Sequence, residues 1–93
     1  MASFEMGGLF LTAGVNNRIS EEVRFEMFVI NCIKRHLSGD WGNLGEGDKK
    51  ENELSLKKGF RLLSSYKYKD EIKIWIITES DRSATTILFP EEY

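Results

Sequence analysis

The clearest alternation of apolar and polar positions lies in the last third of the chain, between Ile72 and Thr78. Every second residue from position 72 to position 76 is isoleucine, and the alternate positions hold Lys73, Trp75 and Ile77. A period of two places successive side chains on opposite faces of a β-strand. The pattern therefore predicts a strand with an all-isoleucine face and a mixed face that carries Trp75.

Further strands are predicted on both sides of this one. Apolar and β-branched residues predict strands at 61–68 and 84–89, and Pro90 ends the second because it cannot donate to a ladder. Short connections, including a polar turn at 69–71, make the three strands an antiparallel meander. An apolar run at Gly8–Thr12 predicts a fourth strand in the same sheet, without indicating its position.

Two helices are predicted before the meander. Ser20 is predicted to cap the first helix, which runs to Leu37, because acidic residues follow the cap and basic residues precede the end. The preceding segment, Ala13–Asn17, is predicted to be a turn. The second helix is predicted to follow a cap at Asp48 and to stop at Gly59.

The order of these elements defines the expected fold. Helices that precede an antiparallel meander are typical of an α+β domain, here with two helices packed on one face of a small sheet. The chain has 93 residues, which suits one domain, so we expect residues 1–93 to form a single unit.

Composition makes some classes of function less favoured than others. The chain has 13 basic and 15 acidic residues, and no basic stripe stands out, so nucleic-acid binding is not favoured. A single cysteine, Cys32, forms no internal disulfide, as expected in a reducing cytosol. Residues 1–8 lack the pattern of a signal peptide, and no apolar run approaches the roughly 20 residues of a membrane span. We therefore expect a cytoplasmic protein without membrane association.

No set of residues stands out as an active site. Cys32 and His36 are four residues apart on one helix, but zinc normally takes three or four ligands, and the chain has no other Cys or His. The glycines between positions 39 and 47 lack the Gly-Lys-Ser/Thr of a phosphate-binding loop. We expect a protein that is not an enzyme and that binds neither a metal nor a cofactor.

The mixed face of the central strand is the main candidate for a binding surface. Trp75 lies there with Lys73 and Ile77, and Tyr66 on the neighbouring strand is expected to extend the patch. If the helices cover the isoleucine face, these side chains stay exposed, and such patches mark interfaces. If both faces are covered, Trp75 is a core residue, and the sequence does not choose between the two.

Two loops are expected to form the rim of this surface. Trp41, next to Asp40, is either an aromatic anchor for a partner or a side chain folded over the core. Glu79, Asp81 and Arg82 lie between the last two strands, where they form either a polar turn with local salt bridges or a patch that contacts a partner.

Three segments resemble a known family. They are His36–Gly42 (HLSGDWG), Arg61–Tyr66 (RLLSSY) and Ile74–Tyr93 (IWIITESDRSATTILFPEEY), and the resemblance extends over Leu9–Tyr93. The chain is similar there to small uncharacterised bacterial proteins carried on plasmids, phages and conjugative elements, some labelled plasmid-related protein or type I restriction subunit M. The family has no established catalytic residues that could be assigned to positions of this chain. It implies a mobile genetic element, a bacterial cytoplasm and, by association, an anti-CRISPR or other anti-defence role.

These observations predict a non-enzymatic protein that binds another protein, most concretely an inhibitor of a bacterial defence nuclease. One alternative is a nucleic-acid-binding accessory protein that stacks bases on Tyr66, Tyr68 and Trp75. Another is a self-associating structural domain, closed as a two-fold homodimer through an exposed sheet face or edge. A small enzyme that combines His36 with the carboxylates of the 79–82 turn would require a concave pocket holding all of them.

Overall fold

The structure, a computed structural model, describes residues 4–69 and 72–93. In chain order its elements are β1 (Gly8–Leu11), α1 (Ala13–Glu21), α2 (Val23–Leu37), α3 (Glu46–Lys58), β2 (Leu62–Lys69), β3 (Ile72–Thr78), β4 (Ala84–Leu88) and a 3₁₀ helix (Pro90–Glu92). The predicted α+β fold is confirmed, with three α-helices in place of two. None of the helices in this part of the chain is both long and apolar enough to cross a membrane.

The four strands form one mixed sheet in the order β1-β4-β3-β2. The last three strands are the predicted antiparallel meander. The predicted N-terminal strand joins the same sheet at its edge, parallel to β4, with Gly8 beside Ala84 and Leu11 beside Ile87. The sheet therefore has β3 and β4 in the middle and β1 and β2 as its edges. Of the turn predicted at 69–71, residues 70 and 71 lie outside the described residues.

The helix predicted to begin at Ser20 is in fact two helices that meet at Glu22. α1 follows β1 directly, because the Thr12 side chain caps it by accepting a hydrogen bond from the Val15 N–H (3.4 Å). The predicted turn, Ala13–Asn17, is the first part of α1, and Ser20 lies inside that helix rather than at its cap.

Glu22 makes the corner between α1 and α2 and ties it to the sheet. Its backbone is extended, with φ −145° and ψ 109°. Its carboxylate accepts hydrogen bonds from the Tyr68 hydroxyl and from Arg18 (2.9 Å to Nη2), and Lys69 lies 3.4 Å away. These contacts, the Tyr68 bond foremost, lower the pKa of Glu22 to about 2. The helix break is thus held by the end of β2.

α2 covers the isoleucine face of the sheet. Phe25, Val29 and Cys32 recur at the spacing of one helix face, and all three are buried. The core cluster consists of Val15, Phe25, Val29, Cys32, Tyr66, Ile74, Ile76 and Ile87. The sequence did not establish which face of β3 is covered by the helices. In the structure it is the isoleucine face, because Ile74 and Ile76 belong to the core cluster.

α3 has nearly its predicted limits but a different place in the fold. It begins at Glu46, before the predicted cap Asp48, and it stops as predicted at Gly59, whose backbone is left-handed (φ 77°). Instead of covering a sheet face, α3 lies along the outer edge of β2. There the side-chain amide of Asn52 accepts from the Leu63 N–H (3.1 Å) and donates to the Leu63 carbonyl (2.5 Å).

The loop between α2 and α3 covers the rest of that edge. The Ser65 N–H donates to the Trp41 carbonyl (3.3 Å), and the Ser65 carbonyl accepts from the Asn43 N–H (2.6 Å). The Asn43 side chain accepts from the Lys67 N–H (3.0 Å). Gly42 is required for this approach, because a Cβ there would lie 2.0 Å from the Ser65 carbonyl oxygen. Every outward N–H from position 63 to position 67 is therefore bonded.

Candidate protein-binding surface

The mixed face of β3 is turned away from α2, and we call it the open face. At its centre Trp75 stands between Ser65 of β2 and Leu88 of β4. Leu88 and Ile77 are each 5% exposed, whereas Trp75 is half-buried and Lys73 is exposed. The open face is therefore partly covered, which lies between the two interpretations that the sequence allowed.

The cover comes from the C-terminal segment. The Tyr93 ring packs edge-on against the Trp75 ring, with 5.8 Å between ring centres and 71° between planes. The Tyr93 hydroxyl accepts a hydrogen bond from the Arg61 guanidinium (2.8 Å), which also lies 5.6 Å from the centre of the Tyr93 ring. These three residues form what we call the aromatic cluster. Its members order one another, yet Tyr93 stays 69% exposed.

Glu92 anchors the segment that carries Tyr93. Its carboxylate accepts hydrogen bonds from the Thr12 hydroxyl (2.6 Å), the Gly14 N–H (3.1 Å) and the Phe89 N–H (2.8 Å). Thr12 and Gly14 lie at the start of α1, where unpaired N–H groups and the helix dipole favour a negative charge. Burial opposes ionisation, but the hydrogen bonds prevail and hold the pKa of Glu92 below its usual value.

The sequence indicated the Trp75 side of β3 but not the part played by Tyr93 and Arg61. The prediction ended the last strand at Pro90 and assigned no structure beyond it. The signal was the Pro-Glu-Glu run, since proline followed by acidic residues is typical of a helix start. Ile77, which was predicted on the surface, lies on the correct face but is buried, so it supports the sheet and offers little contact area.

Tyr66 was predicted on this surface, and that prediction is wrong. It stands opposite Ile74 in the register of β2 with β3, on the helix side of the sheet, and it is 0% exposed. Its hydroxyl donates to the Asp40 carbonyl (2.7 Å), and burial raises its pKa. Tyr68 shares the helix side and donates its hydroxyl to Glu22.

Trp41 is also buried, so its assignment as an exposed anchor is wrong. The side chain is 4% exposed, and its indole N–H donates to the Glu53 carboxylate (2.7 Å). The ring packs against those of His36 and Phe4, at 5.7 and 6.4 Å between centres. Trp41 therefore closes one end of the core, as its alternative interpretation stated.

Asp40 holds the loop that contains Trp41. Its two oxygens accept from the Arg35 guanidinium at 2.7 and 3.2 Å, and one of them also accepts from the Gly42 N–H (3.1 Å). The hydrogen bond from Arg35 is the main reason that the pKa of Asp40 lies below its usual value. The Asp40 side chain stays partly exposed, but its bonding is directed at its own loop.

The turn between β3 and β4 is attached to α3 by Arg82. This residue has a left-handed backbone (φ 60°), and its guanidinium donates to the carbonyls of Phe60 (2.7 Å), Ser55 (3.3 Å) and Glu79 (3.0 Å). The first two carbonyls lie at the C-terminal end of α3, where a cation is favoured. Hydrogen bonding from Ser83 to the Asp81 carboxylate lowers the pKa of Asp81. Arg82 thus bonds backbone carbonyls rather than the predicted carboxylates.

A chain of buried polar groups crosses the core beneath α2. His36 is 0% exposed, with Nδ1 2.6 Å from the Ser64 hydroxyl and Nε2 2.9 Å from the Thr78 hydroxyl. The Thr78 and Thr85 hydroxyl oxygens are 2.8 Å apart, and Thr85 donates to the Met6 carbonyl (2.7 Å). The sequence suggested core packing for this histidine but not its hydroxyl partners.

The hydrogen bond to the Met6 carbonyl, at one end of this series of polar groups, fixes the direction of the other bonds. Because Thr85 gives its one hydrogen to a carbonyl, Thr78 must donate to Thr85, and Nε2 of His36 must donate to Thr78. In the neutral imidazole, Nδ1 then carries no hydrogen and accepts from Ser64. The imidazole is neutral, and burial, helped by a nearby guanidinium, lowers its pKa to about 4.

The groups considered for catalysis are not brought together in one pocket. Both nitrogens of His36 are bonded, and burial raises the pKa of the Cys32 thiol to about 12. Glu79 and Asp81 lie in an exposed turn. Cavities of about 280 and 210 Å³, one beside Phe89–Glu91 and one between α3 and β2, are lined by none of these residues. Within 4–69 and 72–93, no three His, Cys, Asp or Glu side chains group to hold a metal ion.

Comparison with known proteins identifies no relative of this chain. No family model matches it, and neither a curated protein nor a solved structure gives a significant match. The resemblance to proteins of mobile elements therefore stays a prediction, and function has to be inferred from the geometry of the surface.

Proposed function

We propose that this protein works by binding another protein through the open face, with the aromatic cluster at the centre of the contact. The observation that carries the proposal is the contact of Tyr93 with both Trp75 and Arg61, which leaves Tyr93 69% exposed. Trp, Tyr and Arg are the residue types most enriched among interface hot spots. Side chains that are already ordered lose little freedom on binding, which favours affinity.

Two lysines set the charge at one end of this surface. Lys67 and Lys73 stand directly opposite each other in the register of β2 with β3, and both are exposed. Like charges in a direct cross-strand pair destabilise a sheet, so this pair is better explained by a partner than by the fold. The partner that fits has an apolar pocket for Tyr93 with carboxylates beside it.

The partner we propose is a bacterial defence nuclease, which the protein inhibits in the bacterial cytosol without any catalysis of its own. The resemblance to proteins of plasmids and phages supports this choice, because such elements meet host nucleases. Charge supports it as well, since metal-dependent nucleases carry clustered carboxylates at their active sites, and a basic rim is complementary to them. Anti-CRISPR or anti-restriction action would then follow from a blocked active site or a blocked conformational step.

The test is capture of a partner from nuclease-treated host lysate by the tagged protein, followed by an assay of the captured nuclease. Tyr93→Ala should lower recovery roughly tenfold or more, as expected for a hot spot. Met27→Ala is the matched control, because Met27 is 66% exposed on the solvent side of α2, and it should retain full recovery. Equal capture by the two variants, or a captured nuclease that keeps its full activity, would contradict the proposal.

Nucleic-acid binding is the second candidate, favoured by Lys67 and Lys73 on the same face as the aromatic cluster and by Arg61 within it. Its expected stacking platform is reduced, because Tyr66 and Tyr68 lie on the helix side. Fluorescence anisotropy with short single-stranded DNA and RNA over roughly 10–200 mM salt tests it, since electrostatic binding is strongest at low salt. Absence of binding at the lowest salt removes this candidate.

A further inference from the structure

The two edges of the sheet differ in their protection. Along β2, the side chains of Asn43 and Asn52 and the carbonyl of Trp41 bond the outward main-chain groups. Along β1, no described residue takes that role. An unprotected edge strand is a template for pairing with another strand, and natural proteins usually blunt it with charge, proline or a covering element.

Within residues 4–69 and 72–93, the main-chain groups of β1 that have no partner belong to Leu9 and Leu11. Gly8 and Thr12 donate their N–H groups to carbonyls of the β4 segment, at 2.9 and 3.1 Å. Every second residue of a strand faces the same neighbour, so Phe10 also bonds β4. Residues 9 and 11 consequently direct their N–H and C=O groups away from the sheet.

The side chains of this edge are apolar and exposed. Leu9 is 42% exposed, Phe10 55% and Leu11 38%, and the four-residue strand contains neither a charge nor a proline. The edge therefore combines the two features that promote strand addition, namely unpaired main-chain groups and apolar side chains on both faces.

We propose that β1 pairs with β1 of a second copy of this chain, antiparallel, about a two-fold axis at Phe10. In this register Leu9 faces Leu11 of the partner subunit, and Leu11 faces Leu9 of the partner subunit. All outward groups are then used, in four main-chain hydrogen bonds. An axis at Leu9 or Leu11 would leave half of them unpaired, so the strand is complementary to itself in one register only.

This pairing brings apolar surface together on both faces of the joined sheet. On the open face, Phe10 meets Phe10 of the partner subunit in a non-hydrogen-bonded pair, where side chains approach most closely. An axis perpendicular to the sheet places both helix layers on the same side. Phe28 and Arg35 direct one side of α2 toward Tyr68 and Tyr66 of β2. The dimer therefore places the opposite side of α2, which includes Ile30 (49% exposed), toward the second copy.

The small area that this pairing buries indicates a weak dimer. Three half-exposed side chains from each subunit supply on the order of 500 Å², which is below the roughly 1,200 Å² of a stable complex. The facing sides of α2 add to this area. We therefore expect a reversible dimer whose population rises with concentration. It leaves Trp75 and Tyr93 free, so it is independent of the partner proposed above.

Sedimentation equilibrium over a concentration series up to about 1 mM tests the dimer, with mass rising toward twice that of the monomer. Leu9→Pro removes an outward N–H and no bond to β4, so it should weaken the dimer at least tenfold while the circular dichroism spectrum is retained. Leu9→Lys should do the same if the proline variant fails to fold. Leu54→Lys, at a site 44% exposed on α3, should leave the dimer unchanged. A wild-type protein that stays monomeric throughout overturns the proposal.

Disulfide formation tests the register. Phe10→Cys places two thiols within bridging reach across the axis, so it should form a covalent dimer at least tenfold faster than Leu54→Cys. Adding Leu9→Pro should abolish this difference. The native Cys32 is 0% exposed and does not compete. Equal cross-linking rates for the two cysteine variants would overturn the Phe10 axis.

Discussion

The two faces of this sheet carry similar residue types with opposite consequences. On the helix side, Tyr66 and His36 are 0% exposed, and their polar groups are bonded inside the fold. On the open face, Trp75 and Arg61 hold the Tyr93 ring in place but leave it mostly exposed. Whether an aromatic residue here is buried or exposed depends on the face it occupies, which is a matter of register rather than of residue type.

Truncation of Tyr66 should have the largest effect. Tyr66→Ala removes a buried ring from the core and should lower the free energy of unfolding by about 3–5 kcal/mol, measured by urea denaturation. Tyr66→Phe keeps the ring and loses only the bond to the Asp40 carbonyl, so its cost should be about 1 kcal/mol. Similar losses in the two variants would mean that the hydroxyl, and not the ring, determines the contribution of this site.

Acidification should cause the second-largest loss of stability, through protonation of His36 on the helix side of the sheet. Its pKa falls from 6.5 to about 4 on folding, because burial disfavours the charged imidazole. The unfolded chain therefore takes up the proton first as the pH drops. The stabilisation from neutral His36 is complete above pH 6.5 and is lost as the pH falls from 6.5 to 4, by about 3 kcal/mol in all. Urea denaturation at intervals across this range measures the decline.

His36→Gln supplies the control for this pH dependence. The variant retains hydrogen-bonding groups but does not titrate, so it should be less stable at pH 7 and should lack the decline between pH 6.5 and 4. Glu22, with its pKa lowered to about 2 from 4.5, loses its contribution only below about pH 4.5, so it overlaps little with this window. The same slope in the variant and the wild type would assign the decline to other groups.

Substitution of Arg82, which lies in the turn between β3 and β4 and on neither face of the sheet, should have an intermediate effect on stability. Arg82→Ala removes the donor to three backbone carbonyls and should cost about 1–2 kcal/mol in urea denaturation. Arg82→Gly should recover part of this loss, because glycine adopts the observed φ of 60° without strain. Glu79→Ala, at an exposed position of the same turn, should change stability little. A large loss in that variant would mean that the carboxylate, rather than Arg82, holds the turn.

The sequence predicted the meander and the central strand because alternation is a local property of β3. The helix break was not predictable in the same way. The corner at Glu22 depends on Tyr68, which is 46 residues away in the chain, and the cap at Thr12 places the start of α1 before the apolar face of α2 begins. Contacts of long range leave no mark on a short window of sequence.

The candidate surface was predicted only in part, for a related reason. Trp75 and Lys73 followed from the alternation within β3, but the place of Tyr66 depends on how β2 pairs with β3, and a shift of one residue reverses the face. Tyr93 reaches the surface because Glu92 binds the start of α1, a contact between the two ends of the chain.

The smallest stability change should come from the residue most exposed in the aromatic cluster. Tyr93→Ala should alter the free energy of unfolding by less than about 1 kcal/mol, since most of the ring is already in water, yet it should remove partner binding. Trp75→Ala should cost more, about 1–2 kcal/mol, because that ring is half-buried. If Tyr93→Ala destabilised the protein as strongly as Tyr66→Ala, the C-terminal segment would be part of the core. The distinction between a stabilising face and a binding face would then fail, because both sides of the sheet would depend on burial alone.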